Sequence, residues 1–463
     1  MKIALISPKG PLYRKKGGIF KKNLRYQPLT LTTLAALIPA ELNAEIELID
    51  EGIEDVRDDL NADLVGMTVI SGVAPRSYEL AAKFRQRGVT VVLGGPHVTL
   101  LPEEAQKHAD AICVGYAEET WPQLLRDYAR GELQRVYRQR PDFSLQKLPE
   151  ESRAFPRRDL LDNSKFLTHA VFEATRSCMH NCDFCVAPSA WGRKQFQHPV
   201  EWVIEDIRRV GQRKILFIDL NLTGDTRYAR ELLQALIPLK VRWFGLSTVL
   251  IALDPELVDL MARSGCMGVL LGLETVIQAS LGDAGKKFNK SVDYGSAIRA
   301  LHKKNIYIQG CFVFGLDSDT TEIFDETVEF ALQTGIDLPR FSVLTPFPGT
   351  PLFYRLEAEG RILNRDWEQY DGQHVVYQPK NMSTEELAIG HERAWKRVYE
   401  WRSIARRLWT AHNYRPLAIS VNIGYRFYAH NLHRYYNCDW QLDALPPSLS
   451  GGARRVKSVN SAG

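Results

Sequence analysis

Two series of short apolar runs alternate with longer helical patterns along the chain. In the first series, five aliphatic and β-branched runs have the length and continuity of strands buried on both faces. They lie at residues 3–7, 46–50, 64–70, 90–94 and 111–115. Helical patterns occupy residues 29–39, 76–86 and 103–108 between them. Strands that alternate with helical crossovers predict a doubly wound parallel sheet, which binds ligands at the carboxyl ends of its strands.

The second series has six further strand patterns. They lie at about residues 169–176, 214–220, 241–248, 268–273, 306–314 and 340–344, with helices at roughly 200–210, 227–236, 255–263, 292–303 and 322–333. Asp254 and Pro255 form a helix start, and Gly265 forms a helix end. Six consecutive β/α units predict a partial (β/α)6 barrel with its chemistry at the carboxyl face.

The alternation stops after about residue 365. Ser383 and Glu386 form a capping box that predicts one long helix to about Trp409. We therefore expect an α/β protein with a first domain at 1–137, a linker at 138–168, a barrel at 169–365, a mainly helical region at 366–445 and a disordered tail at 446–463.

Composition narrows the class of protein. The chain has 463 residues, 45% hydrophobic and 25% charged, and a net charge of +4, which is typical of a folded multidomain protein. This small charge on a long chain does not favour nucleic-acid binding. The sequence has no apolar run of membrane-spanning length and no secretory signal, so we expect a cytoplasmic protein.

Three of the seven cysteines lie within eight positions. Cys178, Cys182 and Cys185 form a C-x3-C-x2-C motif directly after the first strand of the barrel. The next cysteines along the chain are Cys113 and Cys266. Three close thiolates can hold three corners of a cubane iron–sulfur cluster, whereas structural zinc normally takes four ligands. Zinc, or three unrelated thiols, is the alternative.

This motif, with Phe184 immediately before its third cysteine, resembles that of the radical S-adenosylmethionine superfamily. The resemblance implies a 4Fe–4S cluster on Cys178, Cys182 and Cys185, with one open iron that chelates S-adenosylmethionine. Reduction by one electron then cleaves the sulfonium to give a 5′-deoxyadenosyl radical. Reduced ferredoxin or flavodoxin is the expected electron donor.

Other positions at the ends of the barrel strands fit the same resemblance. It implies that S-adenosylmethionine is bound by Asp219, Asn221, Ser247, Glu274, Gly310 and Phe312, together with Phe184. For each of these residues, ordinary capping of a strand end is the alternative. The resemblance nominates no catalytic acid or base.

A doubly wound domain before such a barrel resembles the cobalamin-binding class of the superfamily. The implied cobalamin contacts are Ser71, Gly72, Gly94, Gly95, Pro96, His97, Gly115 and Glu118. The Asp-x-His-x-x-Gly motif that supplies a cobalt ligand in other cobalamin proteins is absent, so His97 is expected at a loop or at the nucleotide tail. A nucleotide-binding fold is disfavoured because Pro8 and Lys9 stand where a glycine-rich fingerprint would begin. A structural cap is the other alternative.

The resemblance implies methylation of an unactivated carbon. The expected substrate is a small or lipid-like molecule: a hydrophobic compound, a tetrapyrrole or a natural product. A cobalamin-dependent cyclase or rearrangement enzyme, and a cobalamin sensor or electron-transfer protein, are the alternatives. Aromatic and cationic residues interleave near the C-terminus, at Tyr414, Tyr425, Phe427, Tyr428, Tyr435, Tyr436 and Trp440. They leave open a helical cap, a pocket wall or contact with an anionic membrane surface.

Overall fold

The chain folds into two six-stranded parallel sheets, one after the other, followed by three helices. The computed structural model describes residues 1–10, 26–148, 153–277, 279–283, 285–286, 289, 292–410 and 415–432. The predicted α/β class, with a first doubly wound domain, a barrel and a helical region, is confirmed. The predicted tail at 446–463 lies outside the described residues.

The first sheet has the strand order β2-β1-β3-β4-β5-β6, and all its pairs are parallel. Its strands are β1 (Lys2–Ser7), β2 (Glu45–Asp50), β3 (Leu64–Thr68), β4 (Thr90–Gly94), β5 (Ala111–Val114) and β6 (Val136–Arg138). The chain direction across the sheet reverses between β1 and β3, and such a switch point opens a crevice at the carboxyl ends of the strands.

Helices cover both faces of this sheet. They are α1 (Leu29–Ala36), α2 (Ala74–Gln86), α3 (Pro96–Leu100), α4 (Pro102–Ala105) and α5 (Ala117–Arg130). Successive residues of β1 enter opposite cores, with Ala4 and Ile6 on one side and Ile3 and Leu5 on the other. Burial on both faces explains why the strands read as continuous apolar runs.

The second sheet has the order β14-β13-β12-β11-β10-β7 and is also parallel. Its segment begins with β7 (Val171–Phe172) and two short strands that pair antiparallel, β8 (Thr175–Arg176) and β9 (Phe196–Gln197). The remaining strands are β10 (Lys214–Phe217), β11 (Arg242–Ser247), β12 (Cys266–Glu274), β13 (Tyr307–Phe314) and β14 (Leu338–Val343).

The predicted first barrel strand at 169–176 is therefore split into β7 and β8. The Asp219 carboxylate accepts the backbone N–H groups of Ala174 and Thr175. These bonds replace pairing with β10 at that point and turn the chain out of the sheet.

Eight helices accompany the second sheet in the described part of the chain. They are α6 (Val186–Trp191), α7 (Val200–Val210), α8 (Thr226–Leu236), α9 (Pro255–Arg263), α10 (Ser280–Asp283), α11 (Tyr294–Lys303), α12 (Ile323–Thr334) and α13 (Pro351–Ala358). The predicted boundaries of α9 are confirmed: the Asp254 side chain accepts the Leu257 N–H, and Gly265 has φ +94° just beyond the helix.

The C-terminal region contains α14 (Thr384–Val398), α15 (Trp401–Thr410) and α16 (Arg415–Ala429). The capping box of Ser383 and Glu386 is confirmed. The expectation of one long helix to about Trp409 is wrong, because the chain breaks between α14 and α15. Side chains bind the carbonyls there: Arg407 donates to Val398 and Arg426 donates to Tyr399.

Among the described residues, no helix combines the length and the apolarity needed to cross a bilayer.

Gly265, in the turn between α9 and β12, has no room for a side chain. A methyl group at Gly265 would lie 2.0 Å from the Val241 carbonyl oxygen, whereas one at Gly360, which also has a positive φ, would meet nothing within 4 Å. We expect Gly360→Ala to cost about 1 kcal/mol of unfolding free energy, from the left-handed backbone alone. Gly265→Ala should cost roughly 1–3 kcal/mol more, because the backbone must shift to relieve the overlap. Urea unfolding of both variants measures the difference, and equal losses would contradict it.

Candidate functional site

A cavity of about 360 Å³ lies between the two sheets. The first domain lines it with α1 and with the carboxyl ends of β3, β4 and β5. The barrel lines it with the segment from Glu173 to Ser177, and with Trp191, Ile218 and Leu220. The cavity is thus shared by the two places where parallel sheets present ligand sites.

The floor of the cavity on the first domain is formed by small residues. Gly94, Gly95, Pro96, Gly115 and Glu118, all predicted from the sequence, line it. Gly95 has φ +104°, and a Cβ there would lie 2.8 Å from backbone atoms of Val69. A floor without side chains lets a flat macrocycle approach the strand ends.

A buried arginine closes the boundary between the domains beside this cavity. Arg176 of β8 donates to Glu118 of α5 and, at 2.5 Å, to Glu173. Burial opposes the charged guanidinium, but the two carboxylates outweigh burial and raise the pKa of Arg176. Burial also raises the pKa of Glu173, partly offset by Arg176. The ion pair thus holds the first domain against the barrel.

Two buried polar atoms at the same boundary have no hydrogen-bond partner among the described residues. They are Oε2 of Glu118 and the hydroxyl of Tyr116. The Tyr116 ring stacks on Trp191 at a centroid distance of 5.4 Å. Unpartnered polar atoms, an aromatic wall and a glycine floor fit the amide-fringed corrin ring of cobalamin.

Three residues predicted to contact cobalamin do not line this cavity. Ser71, Gly72 and His97 instead face the chain beyond the barrel, and Ile70 takes the place of Ser71 in the wall. α3 begins at Pro96 and turns the fully buried His97 towards Ser71 and Glu104, 3.2 Å from each. This cavity does not include them, and the cofactor contact expected for these three residues stays a prediction.

Glu104 is the centre of that second contact between distant parts of the chain. Besides His97, its carboxylate accepts the Tyr78 hydroxyl at 2.9 Å and the Trp367 indole N–H at 3.1 Å. Burial alone would raise the pKa of Glu104, but these donors outweigh burial and lower it. The segment after the barrel is thereby tied to the first domain.

The cysteine loop follows β8 directly. Ser177 has φ +64° and donates to the Gly192 carbonyl at 2.7 Å, which turns the chain into the loop. Cys178, Cys182 and Cys185 are free thiols of intermediate exposure, and α6 begins immediately after the third. No three Cys, His, Asp or Glu side chains in the described ranges converge on a single-ion site.

Neighbouring segments hold this loop from two sides. The Leu352 N–H at the start of α13 donates to the Asp183 carbonyl at 3.0 Å. On the other side, a methyl group at Gly285 would lie 2.9 Å from the Asp183 carboxylate. Burial raises the pKa of Cys182 to about 12, so a cation that binds the thiols must displace their protons.

A buried ion pair lies next to the thiols. Lys286 donates to the Gly272 carbonyl at 2.8 Å and to the carboxylate of Glu274, a predicted site residue. Burial opposes the charge, but Glu274 and the neighbouring thiols raise the pKa of Lys286. The sequence analysis missed Lys286, because three lysines within five positions, 286, 287 and 290, give no signal that one of them is buried.

The predicted residues at the ends of β10 and β11 differ in what they offer a ligand. Asp219 accepts the backbone N–H groups that split the first strand, and burial raises its pKa to about 7. Its contact with S-adenosylmethionine stays a prediction. Asn221 is buried with neither side-chain atom bonded within the described structure, so it can bind a ligand. Ser247 hydrogen-bonds to Thr223.

On β13, the two predicted residues lie on the face of the strand that packs into the core. Phe312 is 1% exposed and packs against Phe330 and Phe341, and a Cβ at Gly310 would meet Ile336 on the same side. Cys311 and Val313 alternate with them and are partly exposed on the opposite face. The contact with S-adenosylmethionine expected at Gly310 and Phe312 stays a prediction. Phe184 packs at the margin of the barrel core.

Other residues of the site carry no local sequence signal. Ile70, Tyr116, Arg176 and Trp191 reach the cavity only through the packing of the two domains. The helical period of α1 is visible in the sequence, but the face it presents to the cavity is not.

Comparisons with known proteins agree with this arrangement. The B12 binding domain matches residues 23–125, and the Radical SAM superfamily matches residues 172–331. A domain of unknown function, DUF4070, matches residues 350–442.

Two proteins of Chlorobaculum tepidum are similar over most of the chain. Bacteriochlorophyllide d C-8(2)-methyltransferase is 32% identical over 84% of this chain and 88% of its own length. Bacteriochlorophyllide d C-12(1)-methyltransferase is 30% identical over 82% and 84%. Anaerobic magnesium-protoporphyrin IX monomethyl ester cyclases match at 25–26% identity.

Among solved structures, the radical S-adenosylmethionine methyltransferase TsrM from Kitasatospora setae, with cobalamin and a 4Fe–4S cluster bound, has a TM-score of 0.60. It is 17% identical, and the match covers 77% of this chain and 78% of TsrM. The likeness shows a shared fold.

The buried ion pair at the domain boundary gives a prediction. Arg176→Met leaves two buried carboxylates without their cation and should cost about 3–5 kcal/mol of unfolding free energy. The matched control is Arg140→Met, which removes an exposed arginine from the neighbouring Glu119 of the same helix α5. It should unfold close to the wild-type protein. Denaturant titration of both variants measures this, and similar stabilities would show that Arg176 does not hold the boundary.

Proposed function

The chain belongs to the cobalamin-binding radical S-adenosylmethionine enzymes, and on that premise we propose that it methylates an unactivated carbon of a tetrapyrrole substrate. Its cofactors are a 4Fe–4S cluster, S-adenosylmethionine and cobalamin. The observation that carries the proposal is the single cavity lined by both the glycine floor of the first sheet and the segment that leads into the cysteine loop.

An unactivated carbon is neither acidic nor nucleophilic, so a polar methyl transfer to it is impractical. When bound, the three cofactors together supply a radical that removes hydrogen from the substrate carbon and a methyl group that replaces it. The chain's own contribution is to bind them, to set their distance and to exclude water.

Each part of the site has a role in this proposal. Cys178, Cys182 and Cys185 hold the cluster, and Asp219 fixes the strand that leads to them. Asn221, Ser247 and Glu274 contact S-adenosylmethionine, and Lys286 fixes the Glu274 carboxylate. In the first domain, Gly94, Gly95, Pro96, Gly115 and Glu118 receive the corrin.

The relatives and the wall of the cavity support a tetrapyrrole. Both C. tepidum relatives are named for methylation of bacteriochlorophyllide d. Ile70, 56% exposed, and Leu220, 45% exposed, present apolar surface to the cavity together with Trp191. Apolar side chains and an aromatic ring are what a large flat pigment would contact. Reduced ferredoxin or flavodoxin supplies the electrons.

A direct assay separates methylation from cyclisation. We expect the anaerobically reconstituted enzyme, given a bacteriochlorophyllide d, reductant and S-adenosylmethionine deuterated on its methyl group, to form a pigment that carries that methyl group. One 5′-deoxyadenosine and one S-adenosylhomocysteine should appear per product, measured by mass spectrometry. 5′-Deoxyadenosine with ring closure and no S-adenosylhomocysteine would favour a cyclase. Methylation of another apolar compound but of no tetrapyrrole would refute the substrate class.

The cluster assignment has its own test. Cys182→Ala should lower the iron bound after reconstitution from about four per chain to near zero and abolish cleavage of S-adenosylmethionine. The control is Cys266→Ala, because Cys266 is buried at the start of β12 and donates to Gly268. Iron analysis and electron paramagnetic resonance should show a normal cluster in the control. A normal cluster in Cys182→Ala would refute the assignment.

A further inference from the structure

The last two helices have one face packed on the barrel. On α16, Asn422 donates to the Asp337 carbonyl at 3.3 Å, next to β14, and the Tyr425 hydroxyl accepts from Gln309 of β13 at 2.9 Å. Tyr425 also stacks on Trp395 of α14. Tyr428 contacts the same indole. Among the roles expected for Tyr425 and Tyr428, the structure therefore favours the helical cap. Tyr414, Tyr435, Tyr436 and Trp440 lie outside the described residues.

The opposite face of α16 is apolar and exposed. Ile419, Ile423 and Phe427 are spaced four residues apart, so they form one row along the helix. Their exposed fractions are 46%, 47% and 41%. Leu417 adds a further exposed side chain, at 50%.

The neighbouring helix extends this surface with two tryptophans. Trp401 is 58% exposed and Trp409 is 86% exposed, at the two ends of α15, which packs on α16. We call these six residues, Trp401, Trp409, Leu417, Ile419, Ile423 and Phe427, the C-terminal apolar face. A cluster of large exposed side chains of this kind marks an interaction surface.

The segment that carries this face is basic. From Trp401 to Leu432 the sequence contains five arginines and no aspartate or glutamate, although the whole chain carries a net charge of only +4. Arg402 is exposed and Arg426 lies over the Trp401 ring at 4.7 Å, whereas Arg406 pairs with Glu329 at 3.3 Å and Arg407 is buried. Arg402 and Arg426 therefore favour an occupant that combines apolar and anionic character.

We propose that the C-terminal apolar face binds the surface of an anionic lipid bilayer. Tryptophan and phenylalanine rings bury their apolar bodies at the level of the headgroups, and arginines bind the phosphates beside them. The row on α16 lies along one face of the helix, so a bilayer surface can contact all of its members at once. The charge complementarity selects the anionic bilayer over an apolar protein partner or a second copy of this chain. The proposal does not depend on the proposed substrate.

Vesicle flotation with the full-length protein, reconstituted with its cofactors, tests the proposal. We expect it to float with phosphatidylcholine vesicles that contain phosphatidylglycerol and to stay behind with phosphatidylcholine alone. Raising the salt concentration should weaken binding, because it screens the arginines. Failure to float with the anionic vesicles would overturn the proposal.

Matched variants locate the surface. Ile423→Ser combined with Phe427→Ser should weaken binding about tenfold or more, and Arg402→Gln should weaken it selectively at low salt. The control is Leu167→Ser, which removes an apolar side chain of 63% exposure before the barrel and should bind as the wild type does. Circular dichroism and iron content should be normal in all three variants.

Two results from the wild type and the double variant would overturn the proposal. Undiminished flotation would show that another surface binds the lipid. If the wild type fails to float and forms dimers that the double variant does not, the face is an interface between two copies of the chain. Sedimentation velocity of both proteins separates that result from lipid binding.

Discussion

The site depends on one buried arginine at the boundary between two parallel sheets. Arg176 ends β8, the residue after it turns the chain into the cysteine loop, and its guanidinium binds Glu118 at the start of α5. A single side chain therefore fixes the first domain relative to the loop. Because a charge in such a position is stable only with its partners, the two domains cannot separate here without exposing or stranding it.

The strands of both sheets could be predicted from the sequence because they are buried on both faces. Such strands must be continuously aliphatic, and the run at 3–7 indeed becomes β1 at Lys2–Ser7. β6 and β9 could not be predicted, because strands of two or three residues are too short to show a period. The break after Val398 could not be predicted either. Arginines from later in the chain bind the carbonyls at the break, and no local pattern reveals them.

The candidate site also has features that the sequence shows and features that it does not. The spacing of the three cysteines is local and visible in the sequence, and so are the glycines after β4 and β5. The sequence does not show to which face of a strand a side chain points. Phe312 and Cys311 are neighbours, yet Phe312 lies in the core and Cys311 faces the interior of the barrel. The sequence also does not show that the first turn of α3 brings His97 to Glu104. Lys286 reaches Glu274 from the segment that follows β12, and no local pattern shows that this lysine is the buried one.

The contact between Glu104 and Trp367 also concerns the order in which the protein is made. These residues are 263 positions apart, so the first domain leaves the ribosome long before its partner exists. At 5–20 residues per second the delay is roughly 13–53 s. During that interval Glu104 has no indole partner, and Glu118 waits roughly 3–12 s for Arg176, which follows it by 58 residues. The cofactor floor of the nascent first domain thus faces solvent before any barrel covers it, so cobalamin has an opening through which to enter before synthesis of the chain is complete.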